Sequence, residues 1–167
     1  MAIREIITYP DERLHNVAKP VMAVSEDIRR LVDDMAETMY AAPGVGLAAT
    51  QVDVHKQVII IDASETRDKL LTLINPEILA ADGVADCEEG CLSVPGIYEK
   101  IARAGHIVVR ALGLDGQTFT MDADGLLAVC IQHEMDHLKG RVFVEYLSRL
   151  KQTRIRAKMQ KQQRQSA

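Results

Sequence analysis

Tryptophan is absent from this sequence, and two phenylalanines and four tyrosines are its only large aromatic residues. The core must therefore be assembled from Leu, Ile, Val, Met and Ala rather than around aromatic anchors. No stretch approaches the roughly 20 apolar residues that cross a bilayer. The start, Met1-Ala2-Ile3-Arg4-Glu5-Ile6-Ile7, is broken early by charge and lacks the apolar centre of a secretory leader. Both absences predict a cytoplasmic protein without membrane contact. Cysteine is scarce, with Cys87, Cys91 and Cys130 alone, so free or metal-bound thiols are expected rather than a disulfide framework. Acidic residues are missing from Ser148 to Ala167, where seven basic ones fall: Arg149, Lys151, Arg154, Arg156, Lys158, Lys161 and Arg164. The whole chain carries −4, so removing those seven charges leaves −11 on residues 1–147. An acidic body with a basic tail hints at a polyanionic partner for the tail.

A length of 167 residues suits one hydrophobic core. Ser25 stands where it can cap a helix whose inner face is Ile28, Leu31, Val32, Met35 and Met39, and Pro43-Gly44 ends it. The glycine-rich Gly44–Gln51 reads as a loop or extended segment. Residues 57–62 (QVIIID) and 70–74 (LLTLI) read as strands, with Asn75-Pro76 stopping the second. Ile107–Leu112 and Thr118–Met121 flank Asp115-Gly116, a hairpin signal. Asp122 or Asp124 can cap a second helix, from about Gly125 to Lys139, with Gly140 past its end. A third helix is expected from Ser148, with Leu150, Ile155 and Met159 on or near its inner face. The order predicts an α+β domain: short antiparallel strands packed around the second helix, with an N-terminal helix and a C-terminal basic helix.

Within that second helix lies His133-Glu134-Met135-Asp136-His137, an H-E-x-x-H motif. Histidines four apart are separated by about 40° around the axis and roughly 6 Å along it. Both imidazoles share a face and can share a metal, while the intervening Glu reaches a metal-bound water. The bland reading is a histidine pair on an amphipathic surface. A catalytic site also needs a third protein ligand. The extended form of the motif runs through Gly140, but Phe143 stands where its third His belongs, and Glu145 lies too near the helix end to return. Cys130 lies seven residues before His137, about 10 Å along the axis, whereas ligand atoms of a tetrahedral site are about 3.5 Å apart. Cys130 is better read as a buried thiol lining a pocket. Cys87 and Cys91 remain, in the loop-like segment 87–96, and spacing does not choose between them.

Three segments occur together and in order: Gly44-Val45-Gly46-Leu47-Ala48-Ala49-Thr50-Gln51, Glu89-Gly90-Cys91-Leu92-Ser93 and His133-Glu134-Met135-Asp136-His137-Leu138-Lys139-Gly140. With Tyr9-Pro10-Asp11 and Arg13-Leu14 at the start, the chain resembles the peptide deformylase family from near its beginning to its tail. The resemblance implies that Cys91 joins His133 and His137 as metal ligand, with Fe2+ as the ion in the cell and Zn2+, Ni2+ or Co2+ as substitutes. Donor types alone suit zinc equally well. It further implies removal of the formyl group from the formyl-methionine of new polypeptides. Glu134 then handles the proton of the attacking water, and the Gln51 side chain and Leu92 N–H donate to the formyl oxygen. Val45, Gly46 and Gly90 fall where the family pairs with the substrate backbone, and Val45, Leu126, Val129, Cys130 and His133 would enclose the methionine side chain. Tyr98 stands where some relatives place a substrate-contacting Arg, and Cys87 where an aliphatic pocket residue is usual. Asp136 is expected to act as a salt bridge or as support for a ligand. Residues 1–147 are expected to form the catalytic body and 148–167 a basic helix of the same domain, able to contact ribosomal RNA near the exit site. No DNA partner is expected. The rival readings are a metalloprotease, which leaves the first two segments unexplained, and a ribosome-binding protein with a vestigial site.

Overall fold

A computed structural model describes residues 2–166. The elements in chain order are α1 (Glu26–Ala41), β1 (Gly46–Ala48), β2 (Val58–Ile61), β3 (Leu71–Asp82), β4 (Glu88–Cys91), β5 (Val94–Lys100), β6 (His106–Leu112), β7 (Thr118–Asp124), α2 (Gly125–Leu138) and α3 (Arg149–Ser166). Five strands form one antiparallel sheet in the order β1-β2-β3-β6-β7, and β4 and β5 form a separate hairpin. This is the expected α+β arrangement.

Strand β2 shows how the sheet works. All four of its residues are buried, and because alternate side chains point to opposite faces it feeds two cores. Ile59 and Ile61 pack with Ile131, Met135 and Leu138 of α2. Val58 and Ile60 pack with Leu31, Val32, Met35 and Met39 of α1. A third cluster joins Ile7, Tyr9, Leu14 and Phe143 to Ile155 and Met159 of α3. Helix α2 is therefore enclosed, and its polar residues must find partners inside the molecule.

Four expectations change. Asn75-Pro76 does not stop β3, because the strand absorbs the pair in an irregularity between Ile74 and Glu77. Asn75 has φ +52°, and its side chain bonds both the N–H (2.7 Å) and C=O (2.8 Å) of Val21. The proline's missing N–H is thus placed where the ladder is already interrupted. The loop-like segment 87–96 is largely the β4–β5 hairpin. Ser25 and Asp124 occupy the two N-cap positions without a side-chain capping bond. Leu150 is 60% exposed, so the inner face of α3 rests on Ile155 and Met159.

Asp62, just after β2, secures the region leading into β1. Its N–H donates to Val45 O (2.7 Å), and its carboxylate accepts from the Tyr40 hydroxyl (2.6 Å) and from the N–H groups of Ser64 (3.0 Å) and Lys69 (3.2 Å). Burial pushes this carboxyl up, but the bonds from Ser64 and Tyr40 outweigh it and hold the pKa down at about 2. A carboxyl whose folded pKa is depressed stabilises the fold above its unfolded pKa, near 4, and that stability disappears as pH falls towards 2. Asp62→Asn is expected to lower the urea midpoint at pH 6 and to flatten its decline between pH 4 and pH 2. Parallel urea titrations of parent and variant across that range check this.

Candidate metal centre

The sheet, α2 and the hairpin meet at a cavity of about 600 Å³. Its floor is the buried face of α2, from which His133 and Glu134 line it at 6% and 5% exposed, and His137 on the same helix is fully buried. Across it runs β4, with Glu89 and Cys91 turned towards α2. Cys91 Sγ lies 3.3 Å from His137 Nε2. One donor atom each from Cys91, His133 and His137 falls within 4.8 Å of the others. Neither Cys87 nor Cys130 belongs to this group. Burial pushes the Cys130 thiol up to about 12, which keeps it a neutral wall of the cavity.

The other residues singled out in the sequence collect around the same space. Gly46, Val45, Gly90, Leu92 and Tyr98 line it, as do Leu126, Val129 and Cys130. Gln51 is 1% exposed and is held at both ends. Its Oε1 accepts from Ala48 N–H (2.9 Å), while its Nε2 donates to Ser93 Oγ (2.9 Å) and lies 3.6 Å from Cys91 Sγ. The N-terminal segment ties these pieces together, since Ile7 N–H donates to Gln51 O and Tyr9 N–H to Ser93 O, both at 2.7 Å. Gly46 has a steric reason to be glycine: a Cβ there would fall 2.6 Å from Glu134 Oε2. A side chain at this position would push the carboxylate off its place.

A family model described as polypeptide deformylase matches residues 3–153. The chain belongs to the polypeptide deformylase family. It is 66% identical over 164 residues to peptide deformylase 2 of Nitrosomonas europaea, covering 98% of this chain and 89% of that one. The crystal structure of a peptide deformylase from Legionella pneumophila superimposes with a TM-score of 0.94 at 45% identity, covering 99% and 98% of the two chains. One from Ehrlichia chaffeensis, in complex with actinonin, gives 0.95 at 41% identity over 98% and 99%. The family is metal-dependent, and this chain is accordingly an enzyme that works with a metal ion.

The residues present fit such an ion. A thiol and two imidazoles from two separate elements converge on one point, and Glu134 Oε1 is buried without a protein partner. Burial holds His137 well below the ordinary histidine pKa, in the neutral form a ligand requires. His133 behaves oppositely. Burial opposes its charge, but the negative Glu134 and Cys91 outweigh it and raise its pKa well above the usual value. The same negative field favours a divalent cation in place of the proton. For Glu134, burial dominates and pushes the carboxyl up to about 7, with His133 opposing.

Three supporting residues went unnoticed in the sequence. Glu89 Oε1 accepts from His133 Nδ1 (2.8 Å), which leaves Nε2 as the ligand atom. Arg103 holds that carboxylate through Nε and Nη2 (2.7 and 2.9 Å) and reaches Asp136 with Nη1 (2.5 Å). Ser93 holds Gln51. Glu89 and Ser93 flank Cys91 in their motif, which was the available signal, but nothing in the sequence ties Arg103 to either carboxylate. Asp136 is the salt bridge expected of it, and its carboxylate also accepts from the Tyr146 hydroxyl (2.9 Å). Glu89→Gln keeps the shape but removes the charge behind His133. It is expected to weaken binding of Zn2+ or Fe2+ about tenfold to hundredfold, read by competition against a chromogenic chelator.

Proposed function

We propose that the chain hydrolyses the N-formyl amide of the formyl-methionine at the start of newly made polypeptides, using a divalent ion held by Cys91, His133 and His137. One observation carries this reading: the three donors lie within 4.8 Å of one another, and Cys91 and His133 among them line a cavity that Glu134 and Gln51 also reach. Family membership favours it over the metalloprotease alternative, as does the presence of all three sequence segments. Fe2+ is proposed as the ion in the cell, with Zn2+, Ni2+ or Co2+ as substitutes. Their shared chemistry is to polarise the formyl carbonyl and lower the pKa of a water.

The chain's own residues do the rest. Glu134, buried and with one oxygen unpartnered, takes a proton from the attacking water and returns it to the leaving amine. Gln51 Nε2, which donates to Ser93 Oγ and to Cys91 Sγ, turns its second hydrogen from that sulfur to the formyl oxygen and donates there with the Leu92 N–H as charge gathers. Its bonds to Ala48 and Ser93 keep the amide in place during the step. The backbones of Val45, Gly46 and Gly90 pair with the substrate as an added strand. The methionine side chain enters between Val45, Leu126, Val129, Cys130 and His133, where apolar and thiol walls suit a thioether.

Residues 1–147 act as the catalytic body and 148–167 as a basic helix of the same domain, in the cytoplasm. Among the described residues no helix is long and apolar enough to cross a membrane. Among the described residues, Lys151 pairs with Glu99 (3.1 Å) and Arg156 lies over the Tyr9 ring. The exposed Arg154, Lys158 and Lys161 are left to meet ribosomal RNA phosphates near the exit site.

Protein purified anaerobically with Fe2+ is expected to release formate from formyl-Met-Ala-Ser. Glu134→Gln should bind metal but lose about 10²–10⁴ in kcat, whereas Cys91→Ser should lose the metal. Formate release by Glu134→Gln at the parent rate would remove that residue from the chemistry. Arg154→Glu, Lys158→Glu and Lys161→Glu together spare the buried Ile155 and Met159. The triple variant is expected to abolish co-sedimentation with ribosomes at low salt, and unchanged co-sedimentation would end the docking proposal.

A further inference from the structure

Cys87 and Cys130 are free thiols outside the donor set, and hydrolysis of the formyl group needs neither sulfur. Strand β4 and helix α2 bring them into register. Cys91 Sγ lies 3.3 Å from His137 Nε2, and Glu89 Oε1 lies 2.8 Å from His133 Nδ1. Two residues back along the strand therefore match four residues back along the helix. The two advances agree in length, about 6.6 Å for the strand and about 6 Å for the helix. One further step takes Glu89 to Cys87 and His133 to Val129, with Cys130 beside it.

Burial alternates along this stretch. Ala85, Cys87, Glu89 and Cys91 are buried or half-buried, while Asp86, Glu88 and Gly90 are exposed. Cys87 thus faces α2 as Glu89 and Cys91 do. Cys130 lines the cavity from the helix side. Burial above all raises its thiol pKa, and after Glu134 and Glu89 the nearby Cys87 acts in the same direction. Chain geometry excludes the other two pairings of the three cysteines, because a disulfide tolerates Cα atoms at most about 7 Å apart. Cys87 and Cys91 are four strand residues apart, about 13 Å. Cys130 stands about 10 Å along α2 from His137, the neighbour of Cys91. Asp86 and Cys87 lie between the Ala85–Arg103 bridge and the first pair of β4, outside any strand pairing. The backbone can yield there to bring the two sulfurs together.

We propose that Cys87 and Cys130 are an oxidation site, where a peroxide joins them in a disulfide that narrows the methionine pocket and reversibly slows turnover. The effect on turnover rests on the deformylase reading above; the bond itself does not. Cys87, ahead of β4, meets the oxidant first. Its thiolate attacks one oxygen of hydrogen peroxide, the O–O bond breaks, and hydroxide leaves to take up the thiol's proton as water. The Cys130 sulfur then attacks the sulfur of the Cys87 sulfenic acid. The S–S bond forms, and the sulfenic hydroxyl leaves with the Cys130 proton as a second water. The two sulfurs lose two electrons and the peroxide gains them. Because Cys130 belongs to the wall that receives the methionine side chain, tying it to Cys87 draws strand and helix together beside that wall.

The test treats Ni2+-loaded protein with hydrogen peroxide, alkylates free thiols before unfolding, and maps the cysteines by mass spectrometry without reduction. Cleavage at Glu88 and Glu89 as well as at Lys and Arg separates Cys87 from Cys91. A cross-linked pair of peptides carrying Cys87 and Cys130 is expected, with Cys91 in neither. Formate release from formyl-Met-Ala-Ser should fall about tenfold or more, the scale of a one-methylene change in a side-chain pocket, and dithiothreitol should restore it. Cys87→Ser and Cys130→Ser, each read against its own untreated rate, should lose the part of the inactivation that dithiothreitol reverses. Thiol oxidation without a Cys87–Cys130 cross-link, or the same reversible loss in Cys87→Ser, overturns the proposal. A cross-link that leaves formate release unchanged overturns the control of turnover. No formate release by the untreated parent overturns the functional reading, while the map still decides the disulfide.

Discussion

The site depends on the buried guanidinium of Arg103. Its three donor nitrogens are shared between Glu89 on the hairpin and Asp136 on α2, so one planar group joins the two elements that carry the donors. The Glu89 carboxylate lies deep, and the guanidinium offsets the burial that would otherwise push its pKa up; breaking a buried pair costs about 3–5 kcal/mol. Through Glu89 the fork also sets His133, and Arg103 packs beneath the Tyr146 ring at 5.3 Å. The position of Cys91 relative to His137 is thus a consequence of an ion-pair network outside the donor set.

Hydrophobic packing supplies the rigid frame on which that network acts. Strand β2 divides its four residues between two cores, one against α1 and one against α2. With α2 enclosed, its polar face can open only into the cavity. The N-terminal segment then fastens the Gln51 turn and the Ser93 turn to each other through two backbone bonds. The oxyanion donors proposed here are consequently held by three separate stretches of chain, which suits a group that must be in place before charge develops.

Charge is sorted across the molecule in the same economical way. Negative groups concentrate at the metal centre, where they favour a divalent ion. Positive groups concentrate on α3, whose apolar anchors Ile155 and Met159 fix it to the body while its other faces stay exposed.

Much of this was legible in the sequence for identifiable reasons. The three-helix, antiparallel-sheet plan follows from local periodicity, and the His133–Glu134–His137 geometry follows from helical spacing, which needs no tertiary information. Cys130 could be set aside as a ligand because helix rise alone separates it from His137. Choosing Cys91 over Cys87 needed the family resemblance, because both lie on one segment and loop spacing carries no distance to a helix 42 residues away. The strand through Asn75-Pro76 was read as broken because the bonds from Asn75 to Val21 are invisible locally. Glu89 and Ser93 had a signal in the motif around Cys91, whereas Arg103 lay beyond sequence reading altogether. The sequence by itself determined which donors exist and which of them a single helix can aim together. Only the tertiary structure decided which carboxylates the guanidinium neutralises inside, because that depends on distances between segments that no local pattern encodes.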